Sequence, residues 1–143
     1  LKPNIGEGAK RTWKVDNHKQ LLFIISDNPD LVICEYLPGE ELTVDCFTNR
    51  KGELLFIGPR IRNRVTIGIS FSTSSVLLTP EIKYIAETIN DTVKIIGSWF
   101  FQLKEDKHGK YKLLEFAVRQ ASTSGLYRQI GVNFALLNIF DIH

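Results

Sequence analysis

The spacing of apolar positions changes period several times along this chain, and each change predicts an element. Residues 4–9 form a glycine-containing loop, and 11–15 read as a strand. Asp16 or Asn17 can cap a helix that runs to about residue 27, with Leu21, Leu22, Ile24 and Ile25 as its apolar side. Asn28-Pro29-Asp30 is a turn, and the continuous apolar run 31–36 predicts a central, buried strand. After the connection 37–40, residues 41–48 read as a strand, 49–52 as a hairpin turn and 53–57 as the partner strand. Residues 59–75 are polar, basic and rich in Ser and Thr, which predicts an irregular strand followed by a flexible loop. Thr79-Pro80 opens a helix whose stripe is Ile82, Ile85, Ala86, Ile89, Val93 and Ile96. Residues 98–104 and 110–117 read as strands joined by the turn 105–109, and Leu126, Ile130, Phe134, Leu137 and Phe140 give a last amphipathic helix. Hairpins mixed with separate helices predict an α+β fold with a mostly antiparallel sheet and flanking helices.

Length and charge narrow the function classes. A chain of 143 residues suits one compact domain with a real core. A net charge of +2 without a run of Lys or Arg gives no reason to expect nucleic acid as a partner. No apolar stretch approaches the roughly 20 residues that span a bilayer, and the start lacks a signal-peptide pattern, so a soluble, cytoplasmic protein is expected. Cys34 and Cys46 are too few for a disulfide framework and read as buried free thiols in a reducing compartment. The chain opens Leu1-Lys2-Pro3 and contains no methionine, so it is expected to be a piece of a longer protein.

The candidate chemistry lies in two short apolar strands that each hold one oxygen-bearing side chain: Gln102 in Trp99–Lys104 and Glu115 in Leu114–Arg119. Hard cations such as Mg²⁺ take oxygen ligands and commonly share them with substrate phosphates. Arg119, four residues after Glu115, can neutralise charge on a transferring phosphoryl group. Gln102 can also be an ordinary sheet-face amide. Arg60, Arg62 and Arg64 alternate and so share one strand face, where a solvated edge is preferred over a phosphate or acidic-substrate site. His18, His108 and His143 have no partner spacing, and there is no catalytic triad or zinc pattern.

Lys2-Pro3 before Gly6-Glu7-Gly8, then Cys34 to Glu41 running into Leu42-Thr43-Val44-Asp45, then Gln102, then Leu114-Glu115 and Arg119, resemble an ATP-grasp domain in order and spacing. Within that superfamily the chain is most similar to the branch around the carbamoyl-phosphate synthase large subunit. The resemblance implies that Lys2 meets the α- and β-phosphates of ATP and that Gly6 and Gly8 belong to a mobile loop closing over them. It assigns the backbone of Cys34, Glu35, Tyr36 and Leu37 to adenine, Glu41 to the ribose hydroxyls, Gln102 and Glu115 to Mg²⁺ (or Mn²⁺), and Arg119 to an acyl-phosphate intermediate. Glu41 can also be a surface charge on an edge strand. The family usually places Asn two residues beyond the Glu, with Pro next; here stand Ala117 and Val118, which puts the second metal site in doubt.

The implied organisation is a small lid subdomain contributing residues 1–36 and a larger subdomain over 37–143, without the N-terminal substrate domain. The implied function is the ATP- and Mg-binding region of a carboxylate–amine or carboxylate–thiol ligase, with a small carboxylate as second substrate. This polypeptide alone is expected to be a poor ligase. The alternative is a degenerate, non-catalytic nucleotide-binding or interaction domain, and an exposed sheet edge leaves pairing with a second copy open. All of this requires that Gln102 and Glu115 point into one cleft opposite the purine slot near 34–37.

Overall fold

The computed structural model of the chain describes residues 1–6, 10–66 and 69–141. Gly8, assigned above to the phosphate loop, lies outside them.

The first 36 residues build a small unit. Strand β1 (Lys2–Pro3) pairs antiparallel with β2 (Leu31–Val32), and helix α1 (His18–Asp27) lies between them in sequence. The Asn17 side chain accepts from the Gln20 N–H at 3.0 Å, which caps α1 as expected. No α1 residue is buried, and Leu22 and Phe23 are 51% and 75% exposed. Residues 12–16 join no strand ladder; instead the Leu1 and Trp13 backbones exchange two hydrogen bonds, at 2.9 and 3.0 Å. The run 31–36 is neither central nor buried. Only Leu31 and Val32 pair, because β1 offers two residues, and Ile33 through Tyr36 are exposed. Cys34 is therefore an exposed thiol, contrary to expectation.

The remainder is a five-stranded antiparallel sheet in the order β5-β4-β3-β6-β7. Its strands are β3 (Glu41–Thr48), β4 (Leu54–Thr66), β5 (Ile69–Ser75), β6 (Gly97–Glu105) and β7 (Tyr111–Ala117). Strand residues alternate between faces, and facing residues of neighbouring strands share one. Leu42, Val44 and Cys46 of β3 face Leu103, Phe101 and Trp99 of β6, so one face is apolar. Helix α2 (Pro80–Val93) covers it with Ile82, Ala86 and Ile89. The Thr79 side chain accepts from the Ile82 N–H at 3.3 Å, Pro80 occupies the first turn, and the helix ends at Lys94 with φ +56. The stripe stops short of the sequence reading: Val93 and Ile96 are exposed, and Asn90 is buried instead. Asn90 accepts from the Thr48 hydroxyl at 2.6 Å, and Thr48 accepts from Trp99 Nε1 at 3.0 Å, so the polar atoms under the helix satisfy one another.

The irregular strand expected at the start of segment 59–75 is present, but the flexible loop expected after it is a second strand. β4 runs through Pro59 to Thr66, and β5 returns beside it with register shifts near Arg64. The Ser and Thr content that suggested flexibility instead suits an edge strand, where side chains meet water. The last amphipathic helix is two pieces. A 3₁₀ helix (Ser124–Ile130) ends at Gly131, whose φ of +89 reverses the chain, and α3 (Phe134–Phe140) follows. Tyr127 and Phe134 from these pieces pack on Phe47 and Phe56 at one end of the second sheet face.

Burial pushes the Cys46 thiol well above its ordinary range, and the neighbouring Asp45 charge adds to this. We expect an aromatic disulfide reagent to modify Cys34 in the folded protein and Cys46 only after unfolding, read as one thiol per chain before denaturant and two after it. Equal reaction rates for both thiols would contradict this fold.

Candidate functional site

The sheet face away from α2 is polar. Arg60 of β4 faces Thr43 of β3, Thr43 faces Gln102 of β6, and Gln102 faces Glu115 of β7. These residues form one row across the sheet. Arg60 and Thr43 are buried, Gln102 is half-buried and Glu115 is exposed, so the row opens toward solvent at the β6–β7 side. Gln102 and Glu115 thus lie side by side on one face. A register shift between Gln102 and Leu103 bulges β7 just before Glu115, and bulges re-aim side chains.

Charged pairs hold the row from both sides. Two residues along β3, Asp45 accepts from Arg60 Nε at 2.6 Å, with both side chains 2% exposed. Burial raises the Asp45 carboxyl above its ordinary value, and Arg60 opposes the rise. In the other direction Glu41 is ion-paired with Arg62 and with Lys104, the latter at 3.4 Å. Arg60 and Arg62 therefore do not form the solvated edge expected of them: β5 is the edge, β4 lies inside it, and burial forces each arginine to find a carboxylate. Arg64, by contrast, is exposed. A charged residue inside the apolar run Val44-Asp45-Cys46 was the sequence signal for this pairing.

Phe100 occupies the same face beyond Gln102, between Asp45 on β3 and Ala117 on β7, and is 3% exposed. The Arg119 guanidinium lies over this ring, 4.8 Å from its centroid. Further along, Gly58 faces Asp45, and a Cβ at Gly58 would stand 2.5 Å from the Tyr127 ring. Only glycine admits that close contact, which seats the 3₁₀ helix on the sheet. Burial, chiefly, pushes the Tyr127 hydroxyl far above its ordinary value.

Glu41, Gln102, Glu115 and Arg119 therefore gather on or beside one sheet face. Lys2 and Gly6 belong to the small unit, where Lys2 faces Val32. Cys34, Glu35 and Tyr36 lie outside regular elements and are exposed, whereas Leu37 is buried. The linker that follows is tied to the sheet: the Gly39 N–H donates to the Glu105 carbonyl at 3.1 Å, and the Glu105 N–H to the Glu40 carbonyl at 3.0 Å. A Cβ at Gly39 would come 2.5 Å from Glu105 Cβ, so this approach requires glycine. It delivers residues 37–40 to the Glu41 end of the polar face.

The model of a family described as ATP-grasp in the biosynthetic pathway with Ter operon matches residues 27–142. The chain belongs to the ATP-grasp family. Solved structures agree on the fold. N5-carboxyaminoimidazole synthetase from Staphylococcus aureus, complexed with ADP, superposes on this ATP-grasp chain with a TM-score of 0.65 and 16% identity, over 80% of this chain and 33% of that one. The biotin carboxylase domain of the Hydrogenobacter thermophilus 2-oxoglutarate carboxylase, in complex with MgADP, ADP and bicarbonate, gives 0.61 and 17% over 73% and 25%. The phosphoribosylaminoimidazole carboxylase ATPase subunit from Aquifex aeolicus gives 0.55 and 20% over 64% and 28%. The ATP-grasp chain thus spans between a quarter and a third of these structures' own lengths. No curated protein sequence matches it. Among the described residues, no helix is long and apolar enough to cross a membrane.

Proposed function

We propose that the polar sheet face binds the polyphosphate of Mg·ATP and that the protein is the nucleotide-binding region of an ATP-dependent carboxylate–amine or carboxylate–thiol ligase. The observation that carries this reading is the cross-strand pair Gln102–Glu115, with the Arg119 guanidinium over the neighbouring Phe100. Mg²⁺ is bound by one or two carboxylates together with substrate phosphates. One carboxylate and one amide oxygen, side by side on an open edge, suit a single such ion. When bound, the ion would neutralise phosphate charge and fix the nucleotide's orientation.

The remaining roles belong to the chain itself. Glu41, held in place by Arg62 and Lys104, offers acceptor oxygens to the ribose hydroxyls near the linker that carries Leu37. Residues 34–37 supply backbone groups and an apolar edge for the purine. Lys2 and the Gly6–Gly8 loop act as a lid over the phosphates, with residues 1–36 as part of the small subdomain and 37–143 as the larger one. Arg119 supports negative charge as the γ-phosphoryl passes to a carboxylate, giving an acyl phosphate that an amine or thiol then attacks. Charge placement and orientation are most of the protein's contribution in such chemistry. The placement within the carbamoyl-phosphate-synthase-like branch rests on motif order alone.

Because the chain spans a quarter to a third of the structures it resembles, the expected result is nucleotide binding without efficient turnover. Mg·ATP should raise the melting temperature of the 143-residue chain, while ADP release with a panel of carboxylates and amines stays near background. No shift with any nucleotide would favour a purely structural domain; robust turnover would overturn the prediction of a poor ligase.

A further inference from the structure

We propose that this site handles its nucleotide with one divalent cation, and that the Arg119 guanidinium seated on Phe100 supplies the second fixed positive charge. The proposal rests on the nucleotide-binding reading above.

The donor inventory of the face leads to it. On the polar face β3, β6 and β7 carry the carboxylates Glu41, Asp45 and Glu115. Glu41 is occupied by Arg62 and Lys104. Asp45 is buried under its pairing with Arg60. Glu115 alone remains exposed and without an ion pair among the described residues. Gln102 adds a neutral oxygen, and Ala117, next on this face of β7, adds none. Among the described residues no group of three His, Cys, Asp or Glu side chains stands close enough to hold a metal ion. One ion can be completed by Glu115, Gln102, phosphate oxygens and water; a second would have to share Glu115 and finds no protein oxygen of its own, because Ala117 supplies none.

The same register explains what replaces it. Ala117 faces Phe100 directly and carries only a methyl group there. The guanidinium of Arg119 takes the ring face at 4.8 Å. An arginine is always charged, weakly hydrated and suited both to stacking and to bidentate phosphate contact. Phe100, buried and fixed between two strands, is then the positioning residue for that charge. A longer side chain at 117 would both add a ligand atom and crowd the arginine.

The test counts ions on the intact chain. Free Mn²⁺ is measured by electron paramagnetic resonance while protein saturated with a non-hydrolysable ATP analogue is titrated with Mn²⁺. One Mn²⁺ per bound nucleotide is expected, and two would overturn the proposal. Phe100→Leu should weaken nucleotide affinity roughly three- to tenfold with the ion count unchanged, and Phe100→Trp should retain it. An unchanged affinity in a folded Phe100→Leu protein contradicts the role given to Arg119. Ala117→Asn should raise the count to two; a count of one in that variant overturns the claim that position 117 limits the site. Failure to bind nucleotide at all would instead defeat the functional reading beneath the proposal.

Discussion

Arg60→Leu is expected to lower folding stability by about 3–5 kcal/mol, because it leaves the Asp45 charge buried without its partner. Asp45 and Arg60 are each 1% exposed, and their contact is 2.6 Å. Asp45 also retains one oxygen, Oδ1, without a hydrogen-bond partner among the described residues, so it has no second cation or N–H to fall back on. Domains of this size have roughly 5–15 kcal/mol in total, and the variant should therefore unfold at markedly lower urea. Arg60→Leu combined with Asp45→Leu should recover most of the loss, since no charge then remains buried. The pH response has a definite sign. Burial already holds the Asp45 carboxyl above its ordinary value, and loss of Arg60 removes the neighbouring charge that opposes the rise. The folded variant then binds a proton more tightly than the unfolded chain, so its deficit should be full and level above that raised value and shrink as pH falls through it. A deficit below about 1 kcal/mol, typical of an exposed pair, would contradict the buried geometry.

Glu115→Ala should abolish the metal dependence of nucleotide binding and leave the fold intact. Glu115 is exposed on β7, so its removal costs little packing. It is also the one carboxylate on the open part of the row, and interactions with a charged ligand group are worth about 1.5–3 kcal/mol. Affinity for Mg·ATP should therefore fall about 10–100-fold, at roughly 1.4 kcal/mol per tenfold, while affinity for metal-free ATP changes little. Calorimetry with and without Mg²⁺ separates the two. Equal losses in both conditions would assign Glu115 to direct contact or to structure instead of to a metal.

Much of the sheet was legible in the sequence because its elements have strong, local signals. Thr79-Pro80 marks a helix start by its own chemistry, and 41–48, 98–104 and 110–117 show the alternation or apolar runs of strands. The short turn fixes the register only as far as Leu103 and Leu113; continued, it would pair Gln102 with Leu114, and a one-residue bulge, which the local spacing does not announce, brings Glu115 beside Gln102 instead. The errors lie where burial depends on partners distant in sequence. The run 31–36 looks buried by hydropathy, but only two of its residues find a strand. The second half of segment 59–75 looks like loop by composition, yet it forms the edge strand β5, which leaves β4 and Arg60 inside the sheet. The alternating arginines look like surface because a charge is normally outside; the rule fails where a matching carboxylate, here Asp45 or Glu41, arrives from the next strand. Phe100 was invisible as a site residue for a related reason. In Trp99-Phe100-Phe101 three aromatics follow one another, and only the pleat assigns the middle one to the polar face. The break at Gly131 interrupts a helical stripe, and periodicity alone does not register a single left-handed residue.

The central claim is that the polar face, and not the α2 face, is where metal and nucleotide sit. Paramagnetic broadening by Mn²⁺ with a non-hydrolysable ATP analogue, read in amide spectra of the isotope-labelled chain, tests it most directly. Signals of Thr43, Gln102 and Glu115 are expected to disappear first while those of Ile82, Ala86 and Ile89 persist. Broadening centred on α2, or none at saturating ligand, would contradict it.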